Sequence, residues 1–305
     1  MFFKNKIYWE KKGLIIKPRR NIYFERSHAM IPTPLKINDD IYRIYYSGRN
    51  GNNQSIISYA DIKLTPTVKI LARNNKPVLS PGPLGCFDDN GVTPSCLVNF
   101  NSKSLALFYI GWNPGSTVRM HLFGGLAISE NNKTFKRYSN APIIERNIYD
   151  PYLNTAPWVI KINKTFLMYY VSGTEWKNKD LPRYNIKLAK STDGKNWIRK
   201  GKIAIDFKNK SENALARPYV IKDGKIFKMW FSFKSIKYRI GYAESKDGIT
   251  WERNDKFSNI NISKKGFDSD MIEYPVVIKH KRLYYMFYNG NNYGKDGIGL
   301  AIGSL

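Results

Sequence analysis

The chain has 305 residues, of which 42% are hydrophobic and 14% aromatic, so it is long enough to bury a large core. Fifty lysines and arginines against 24 acidic residues give a net charge of +26, but the lysines are scattered instead of gathered in one tail or helical face, which disfavours nucleic-acid binding. No segment reaches the roughly 18 consecutive apolar residues of a membrane span, and the N-terminus lacks the apolar segment of a secretory signal, so we expect a cytoplasmic protein without a membrane span.

The first predicted element is a strand close to the N-terminus. Residues 8–16, YWEKKGLII, resemble residues 196–204, NWIRKGKIA. The latter segment overlaps IKLAKSTDGKNWIR (186–199), which the chain repeats as IGYAESKDGITWER (240–253). We therefore expect residues 1–17 to supply the outer strand of the last repeat, in the place that residues 196–204 take in their own repeat.

Five segments carry this repeat, and a shared alanine marks each of them. The intervals between successive markers are 54 to 67 residues, which predicts a repeat architecture with a period of about sixty. The marker alanines are Ala60, Ala127, Ala189, Ala243 and Ala301.

Each repeat has the pattern of four short strands. The first begins near a proline, the second is aromatic and β-branched, and the third contains the alanine. The fourth carries Trp251 in its repeat, with Trp197 and Phe135 at the matching places of two others. We expect these three aromatic residues to pack one repeat against the next. The two cysteines, Cys86 and Cys96, are expected to be reduced core residues, because no spaced Cys/His cluster indicates zinc.

The pattern predicts an all-β fold, a five-bladed β-propeller of four-stranded antiparallel blades in a single domain spanning residues 1–305. The N-terminal strand is expected to close the last blade. The blades are predicted near residues 26–80, 88–140, 150–205, 212–260 and 268–305.

In such a blade, the segment before the first strand and the segment after the second lie at the same end and face the central funnel. Acidic residues recur in the segments before the first strand, although turn chemistry explains some of them individually. As candidates for the funnel we take the acids Asp88, Asp89, Asp150, Glu212, Asp270 and Glu273, together with His28, Arg49, Trp112, Glu175, Trp176, Arg217, Lys234, Asn291 and Tyr293. Crowded carboxylates separate their pKa values, so we expect a raised pKa for Glu212 and an ionised Asp89.

The repeat, the blade count and the acids resemble the five-bladed propeller glycosidases, the group of glycoside hydrolase families 32, 43, 62, 68 and 130. More narrowly, the chain resembles glycosidase-like proteins encoded among bacterial surface-polysaccharide genes. The segments that carry this narrower resemblance are FDDNGVTPS, DPYLNTAP, SGTEW, ARPYV, GYAESKDGITWER, DSDMIEYP and YNGNNYG.

The resemblance implies three catalytic carboxylates on successive blades. Asp150 corresponds to the residue that orients and tunes, Glu212 to the general acid, and Asp89 or Asp88 to the base. This order is shifted by one blade, because the first blade offers His28 in place of an acid. His28 is interpreted as a general base, a ligand or orienter of a central ion, or a structural residue. No cofactor is expected, although some relatives hold an axial calcium ion.

The remaining candidates indicate how a sugar would bind. Trp112, Trp176 and Tyr293 offer faces for a sugar ring, whereas Arg49, Arg217 and Lys234 suit an anionic group or pair with the acids.

Three functions stay open: a glycoside hydrolase, a transferase or phosphorylase that uses a phosphorylated or nucleotide-activated sugar, and a carbohydrate-binding propeller without catalysis. The expected partner is thus a carbohydrate or activated sugar, and the oligomeric state is not predicted.

Overall fold

The protein is built almost entirely from β-strands. The computed structural model describes residues 2–4, 6–65, 67–101 and 104–305. The remaining regular elements there are two 3₁₀ turns, Tyr23–Glu25 and Asp255–Phe257, and one four-residue helix, α1 (Asn291–Gly294). No helix in these ranges is long and apolar enough to cross a membrane. Outside the described residues lie Met1 and Asn5 of the predicted segment 1–17, Pro66 of the first predicted blade, and Ser102 and Lys103 of the second.

The antiparallel pairings between strands group the described part of the chain into five units, three of which belong to one larger sheet. Unit one contains β2 (Ser27–Lys36), β3 (Ile41–Arg49), β4 (Ser55–Lys63) and β5 (Lys69–Arg73). Unit two contains β6 (Val92–Asn99), β7 (Leu105–Pro114), β8 (Met120–Ser129) and β9 (Lys136–Arg137). Unit three contains β10 (Asn154–Ile162), β11 (Thr165–Asn178), β12 (Leu181–Ser191) and β13 (Ile203–Ile205). Unit four contains β14 (Ala214–Asp223), β15 (Ile226–Lys234), β16 (Tyr238–Ser245) and β17 (Glu252–Arg253). Unit five contains β18 (Glu273–His280), β19 (Leu283–Asn289), β20 (Ile298–Ser304) and β1 (Tyr8–Ile16).

The five units share one internal register. The marker alanine of the third strand is buried in each unit and lies opposite an aliphatic residue of the second strand. A small side chain lets the neighbouring unit approach closely, so the repeated alanine is explained by packing. The opposed pairs are Ile44 and Ala60, Leu107 and Ala127, Met168 and Ala189, Met229 and Ala243, and Met286 and Ala301.

Neighbouring units touch through aromatic side chains and short parallel contacts. Trp197 packs edge-on against Phe108 of the preceding unit, with ring centroids 6.1 Å apart, and Trp251 packs in the same way against Tyr169 at 5.5 Å. Phe135 contacts Tyr45 of unit one at 5.9 Å. The predicted packing roles of the three residues are therefore confirmed. Parallel bridges from Asn154 to Phe123 and from Tyr184 to Ala214 also join units two, three and four into one twelve-stranded sheet.

The N-terminal strand lies at the edge of unit five. β1 is antiparallel to β20, with Tyr8 opposite Ser304 and Ile16 opposite Ile298. The Trp9 indole also donates a hydrogen bond of 2.8 Å to the Ser258 carbonyl, which follows unit four. Residues from the two ends of the chain therefore share one four-stranded sheet.

Candidate functional site

A buried carboxylate precedes the innermost strand of every unit, and each is paired with a cation that lies on the outermost strand of the same unit or, for Arg199, in the segment before it. These contacts, here called the unit ion pairs, have nitrogen–oxygen distances of 2.6 to 3.0 Å. In four units a tyrosine hydroxyl of the second strand also donates to the carboxylate. The unit ion pairs are Glu25–Arg73, Asp88–Arg137, Asp150–Arg199, Glu212–Arg253 and Asp268–Lys11.

Asp150 lies deep in unit three. Its carboxylate is fully buried and accepts hydrogen bonds from Tyr170 at 2.8 Å, Ser172 at 2.9 Å and Lys187 at 2.9 Å, besides its contact with Arg199. Burial alone would raise the pKa of Asp150, but Lys187 and the two hydroxyls outweigh it and hold the pKa below its ordinary value. A carboxylate held ionised in this way is a structural anion.

Glu212, the predicted general acid, is held in the same manner. Both of its oxygens meet the Arg253 guanidinium, at 2.8 and 2.9 Å, and the Lys208 amide donates to it at 2.8 Å. Neither Glu212 nor Asp150 lines the central cavity described below. The expectation that the acids crowd around one funnel is therefore corrected. Each of these two acids is paired with a cation of its own unit instead.

The other predicted acids also lie away from that cavity. Asp88 belongs to the unit ion pair of unit two, and its neighbour Asp89 accepts from the Gly85 amide at 2.9 Å and from the side-chain amide of Asn113. Asp89 thus orders its loop in the structure, and its role as the base stays a prediction. Glu175 pairs with Arg183 at 3.2 Å.

Three further candidates have local roles. Asp270 pairs with Lys237 at the surface. Asn291 accepts hydrogen bonds from the backbone amides of Asp270 and Met271, at 2.8 and 3.1 Å. Trp176 packs behind the cavity against its apolar wall, without lining it.

All five units surround a central cavity of about 330 Å³. Each unit contributes the residue that precedes the proline of its innermost strand. Because one residue at the same place in each unit reaches the cavity, its floor is set by the repeat itself. The five residues are Ile31, Thr93, Ala156, Arg217 and Tyr274.

Backbone bulges aim these residues. The innermost strands break register at the proline in every unit, as between Ala216 and Tyr219 or between Glu273 and Val276. Proline lacks the amide that a regular ladder needs, so a bulge forms there. At Ile31, Ala156, Arg217 and Tyr274, the backbone takes the left-handed conformation, with φ between 48° and 53°. Strain of this kind in side chains with a Cβ is concentrated at functional sites.

The segments after the second strands supply the next part of the wall, as the sequence predicts. Arg49, Trp112, Lys234 and Tyr293 all line the cavity. The sequence reading missed Arg119, Asp180, Tyr184 and Tyr238. Asp180 and Tyr184 lie on the hairpin of β11 and β12, where the chain continues as strands to Asn178 and returns from Leu181. The polar segment after Gly173 reads as a loop in the sequence, so it carried no signal for this extension.

Glu273 is the exceptional carboxylate. It occupies the position two residues before the proline, where the other units carry Met30, Val92, Thr155 and Ala216. Its side chain is fully buried, and neither oxygen has a hydrogen-bond partner. Burial raises its pKa well above the ordinary value of 4.5, against the smaller opposing effects of Lys234 and Tyr274. The carboxyl therefore keeps its proton to a higher pH than an exposed glutamate does.

Glu273 lies directly behind the cavity wall. Were it ionised, its charge would act on Lys234 and on the hydroxyls of four tyrosines, and all five of these residues line the cavity. A buried carboxyl with a raised pKa next to a cavity of this size is suited to proton transfer to a bound ligand. The four tyrosines are Tyr184, Tyr238, Tyr274 and Tyr293.

The cavity wall is cationic. Four cationic side chains line it, against a single acidic residue, Asp180, among the described lining residues. The alternative in which these cations pair with the repeated acids is not what the structure shows, because each acid is held within its own unit. Burial lowers the pKa of Arg49 and of Lys234, and it lowers that of Arg217 to about 10. The four cations are Arg49, Arg119, Arg217 and Lys234.

His28 lies near these cations but does not line the cavity. Its Nδ1 is 2.8 Å from the Ser27 hydroxyl, and its backbone φ is 63°. Burial, with the charges of Arg49 and Lys295, lowers its pKa to about 4, so the imidazole is neutral at pH 7. Among the residues that the structure describes, no group of three or more His, Cys, Asp or Glu side chains is placed to hold a metal ion.

Comparison with known sequences places the chain in a family. The uncharacterized protein Rv1502 of Mycobacterium tuberculosis (strain H37Rv) is 40% identical over 295 residues, which cover 96% of this chain and 98% of that protein. The chain belongs to the family of Rv1502. The protein MT1551 of M. tuberculosis (strain CDC 1551) is similar at 39% identity over 295 residues, with the same coverage. No family model matches the sequence.

Solved structures show the fold. BT0996, in its complex with RGII, has a TM-score of 0.73 at 22% identity, covering 96% of this chain and 90% of that protein. A thermostable family-43 glycoside hydrolase has a TM-score of 0.65 at 17% identity, covering 92% and 91% of the two proteins. A structure from the GH130 family of mannoside phosphorylases, which contains glycoside hydrolases that target β-1,2 mannosidic linkages in Candida mannan, has a TM-score of 0.71 at 14% identity, covering 98% and 94%. The chain therefore has the propeller fold of the glycoside hydrolases.

Proposed function

We propose that this protein is an enzyme that acts on a glycosidic bond in the central cavity, with Glu273 as the proton donor. One observation carries the proposal: a buried carboxyl without a partner lies behind the wall of a cavity, in a fold shared with glycoside hydrolases. A glycosidic oxygen is a poor leaving group until it is protonated, and a carboxyl with a raised pKa is suited to supply that proton.

Hydrolysis is the first reaction that we consider. As the bond between the anomeric carbon and the glycosidic oxygen breaks, the Glu273 proton moves to that oxygen. A water oxygen forms the new bond to the anomeric carbon, and a proton released from that water restores the acid. The indole of Trp112 and the ring of Tyr293, both in the cavity wall, offer apolar faces for the sugar.

Transfer to or from an anion is the second reaction, and the cationic wall favours it. In phosphorolysis, a phosphate oxygen forms the new bond to the anomeric carbon while Glu273 protonates the leaving oxygen, and the proton of the phosphate restores the acid. This route needs one protein carboxyl instead of two. It agrees with the scarcity of acids among the described lining residues and with the transferase or phosphorylase alternative predicted from the sequence.

We further propose that the five units are the five blades of one propeller domain covering residues 1–305, with β1 as the outer strand of the last blade. The shared register of the units and their common contribution to the cavity support this arrangement. A cytoplasmic location and a role in surface-polysaccharide metabolism stay predictions. A role in carbohydrate binding without catalysis is the remaining alternative.

The proposal predicts a dependence on the leaving group. Aryl glycosides of a panel of sugars are compared in two forms, one with an unactivated phenol and one with a dinitrophenol that departs without protonation. We expect Glu273→Gln to lose roughly 10²- to 10⁴-fold in kcat on the first form, the range for a general acid, and far less on the second. Single-turnover kinetics on matched substrates measure the difference.

Glu175→Gln is the matched control, because Glu175 is a half-exposed glutamate that pairs with Arg183 outside the cavity. Equal losses on both substrate forms contradict a proton-donor role for Glu273. If no sugar is turned over by the unaltered protein but sugars raise its melting temperature, the carbohydrate-binding alternative replaces the enzyme.

A further inference from the structure

Arg217 is a buried cation whose hydrogen-bonding capacity is only partly used. Its side chain is 1% exposed, and it lines the central cavity. One terminal nitrogen, Nη2, donates to the Pro32 carbonyl at 3.1 Å and to the Thr33 hydroxyl at 2.8 Å. The other two nitrogens, Nε and Nη1, have no partner. Leaving a charged donor buried and unpaired is costly, so this group calls for an explanation.

The surroundings of Arg217 do not supply an internal counter-ion. The carboxylate of its own unit, Glu212, is bound on both oxygens by Arg253. The groups that favour the charged form of Arg217 are weakly acidic ones, Cys96, Tyr219 and Tyr274, and burial still lowers its pKa to about 10. Among the described residues, no carboxylate is therefore shown to compete with a bound anion for the Arg217 guanidinium.

The backbone holds Arg217 in this place. It is the residue before Pro218, with φ at 52°, inside the bulge of β14. The equivalent positions in the other units carry Ile31, Thr93, Ala156 and Tyr274, so Arg217 is the charged member of the set. A cation directed by a strained bulge into a cavity, where uncharged residues stand in the other units, is a specific feature of unit four.

A second guanidinium, that of Arg49, also lines the cavity. Arg49 and Arg217 both act electrostatically on the Tyr274 hydroxyl, and all three line the cavity. The forked donors of two arginines match the oxygens of a carboxylate or a phosphate.

We propose that Arg217, together with Arg49 of the same cavity wall, binds a carboxylate or phosphate group in the cavity, so that the substrate is an acidic sugar or a sugar that reacts with phosphate. The proposal deepens the function given above and rests on it for the sugar, whereas the anion site itself is tested by binding alone.

The experiment is calorimetric titration and thermal shift of the full chain with four probes: inorganic phosphate, glucose 1-phosphate, methyl glucuronide and methyl glucoside. Arg217→Met removes the charge with little change in volume, and Arg282→Met removes the same charge from an exposed arginine outside the cavity. We expect at least one anionic probe to bind the unaltered protein and Arg282→Met, with at least 10-fold weaker binding to Arg217→Met. Should Arg217→Met fail to fold, Arg217→Lys and Arg49→Met are used instead, and each is expected to weaken binding of the anionic probe by a smaller factor.

The outcomes separate the sources of the anion. Binding of phosphate alone assigns the site to free phosphate, whereas preference for glucose 1-phosphate or methyl glucuronide over methyl glucoside assigns it to a group on the sugar. Equal affinity of Arg217→Met and Arg282→Met for an anionic probe overturns the proposal. So does a failure of every anionic probe to bind at concentrations of about 10 mM. If anion binding depends on Arg217 but Glu273→Gln is fully active, the anion site is supported and the role of Glu273 as proton donor is refuted.

Discussion

Buried carboxylates in this protein fall into two kinds, and their partners decide which. Asp150 has cations and hydroxyls around it, so its pKa is below the ordinary value in spite of burial. Glu273 has no hydrogen-bond partner, so burial dominates and its pKa lies well above 4.5. The first kind stabilises the ionised form and the second the protonated form, which separates structural acids from a candidate for proton transfer.

Glu273 makes stability depend on pH in a defined direction. Above pH 4.5 the Glu273 carboxyl loses its proton in the unfolded chain but keeps it in the folded protein. The free energy of unfolding therefore falls as the pH rises from 4.5 toward the pKa of the folded protein. The slope for one such group is about 1.4 kcal/mol per pH unit. We therefore expect Glu273→Gln to gain stability relative to the unaltered protein between pH 5 and 8, measured by urea unfolding across that range.

Glu130→Gln serves as the control for this titration, because Glu130 is exposed. Its difference from the unaltered protein should stay constant with pH. A constant difference for Glu273→Gln as well would show that the Glu273 carboxyl titrates normally, and the proton-donor role would lose its physical basis.

The pair Glu212–Arg253 is expected to be structural. Arg253→Met leaves a buried carboxylate without its cation, so the free energy of unfolding should fall by about 3–5 kcal/mol. Adding Glu212→Gln removes the uncompensated charge and should restore part of this loss. Chemical denaturation of the two single variants and the double variant measures both effects.

The same variants test whether Glu212 is catalytic. Folded Glu212→Gln should keep the specific activity of the unaltered protein, since both Glu212 oxygens are already bound by Arg253. A loss of turnover larger than the loss of folded protein would return Glu212 to the role of general acid that the resemblance implies.

Elements of neighbouring units are held together by one aromatic residue near each outer strand. Trp251 lies against Tyr169, whose hydroxyl donates to the Gly248 carbonyl in the turn before Trp251. The indole nitrogen of Trp251 is buried without a partner, so the contact depends on shape and apolar area instead of hydrogen bonding. Packing of this type lets each unit cover the apolar face of the preceding one.

Shortening this side chain should loosen the contact between units three and four. We expect Trp251→Ala to lower the free energy of unfolding by about 3 kcal/mol, the lower end of the range for a core aromatic residue, because Trp251 is only half-buried. Trp251→Phe keeps the ring against Tyr169 and should cost less than half as much. Equal losses for the two variants would place the effect elsewhere than in this contact.

At the scale of the molecule, the N-terminus and the C-terminal unit depend on each other. β1 pairs with β20 along its length, and Lys11 on β1 is the cation that neutralises Asp268 of unit five at 2.7 Å. Without β1, that carboxylate would be left buried and unpaired next to Tyr288.

Removing residues 1–17 should therefore destabilise the protein far more than loss of an ordinary terminus does. We expect a fall of at least about 4 kcal/mol in the free energy of unfolding, since a buried acid loses its partner together with a whole strand. Lys11→Met should reproduce much of this loss, whereas Lys12→Met, which affects only an exposed contact with Glu10, should not. An unchanged melting temperature after the deletion would contradict the placement of β1 as a structural strand.

Repetition made much of the architecture predictable. The marker alanines, the prolines of the innermost strands and the aromatic residues before the outer strands recur at one period, and each has a packing reason in the structure. The sequence carries one further signal. A basic residue follows two positions after the aromatic one, in Trp9–Lys11, Phe135–Arg137, Trp197–Arg199 and Trp251–Arg253, and these are four of the five cations of the unit ion pairs.

Local sequence alone specifies the features that every repeat shares: the strands, the bulges at prolines and the residues that face the next unit. These follow from backbone chemistry and side-chain periodicity, which act over a few residues. Which charges meet depended on the folded chain. Folding paired the repeated acids inside their own units, left both Glu273 oxygens and two of the three Arg217 nitrogens without partners, and brought Arg217 into the cavity wall. Ion pairing and burial join residues from about forty to more than two hundred positions apart, which a local pattern does not encode.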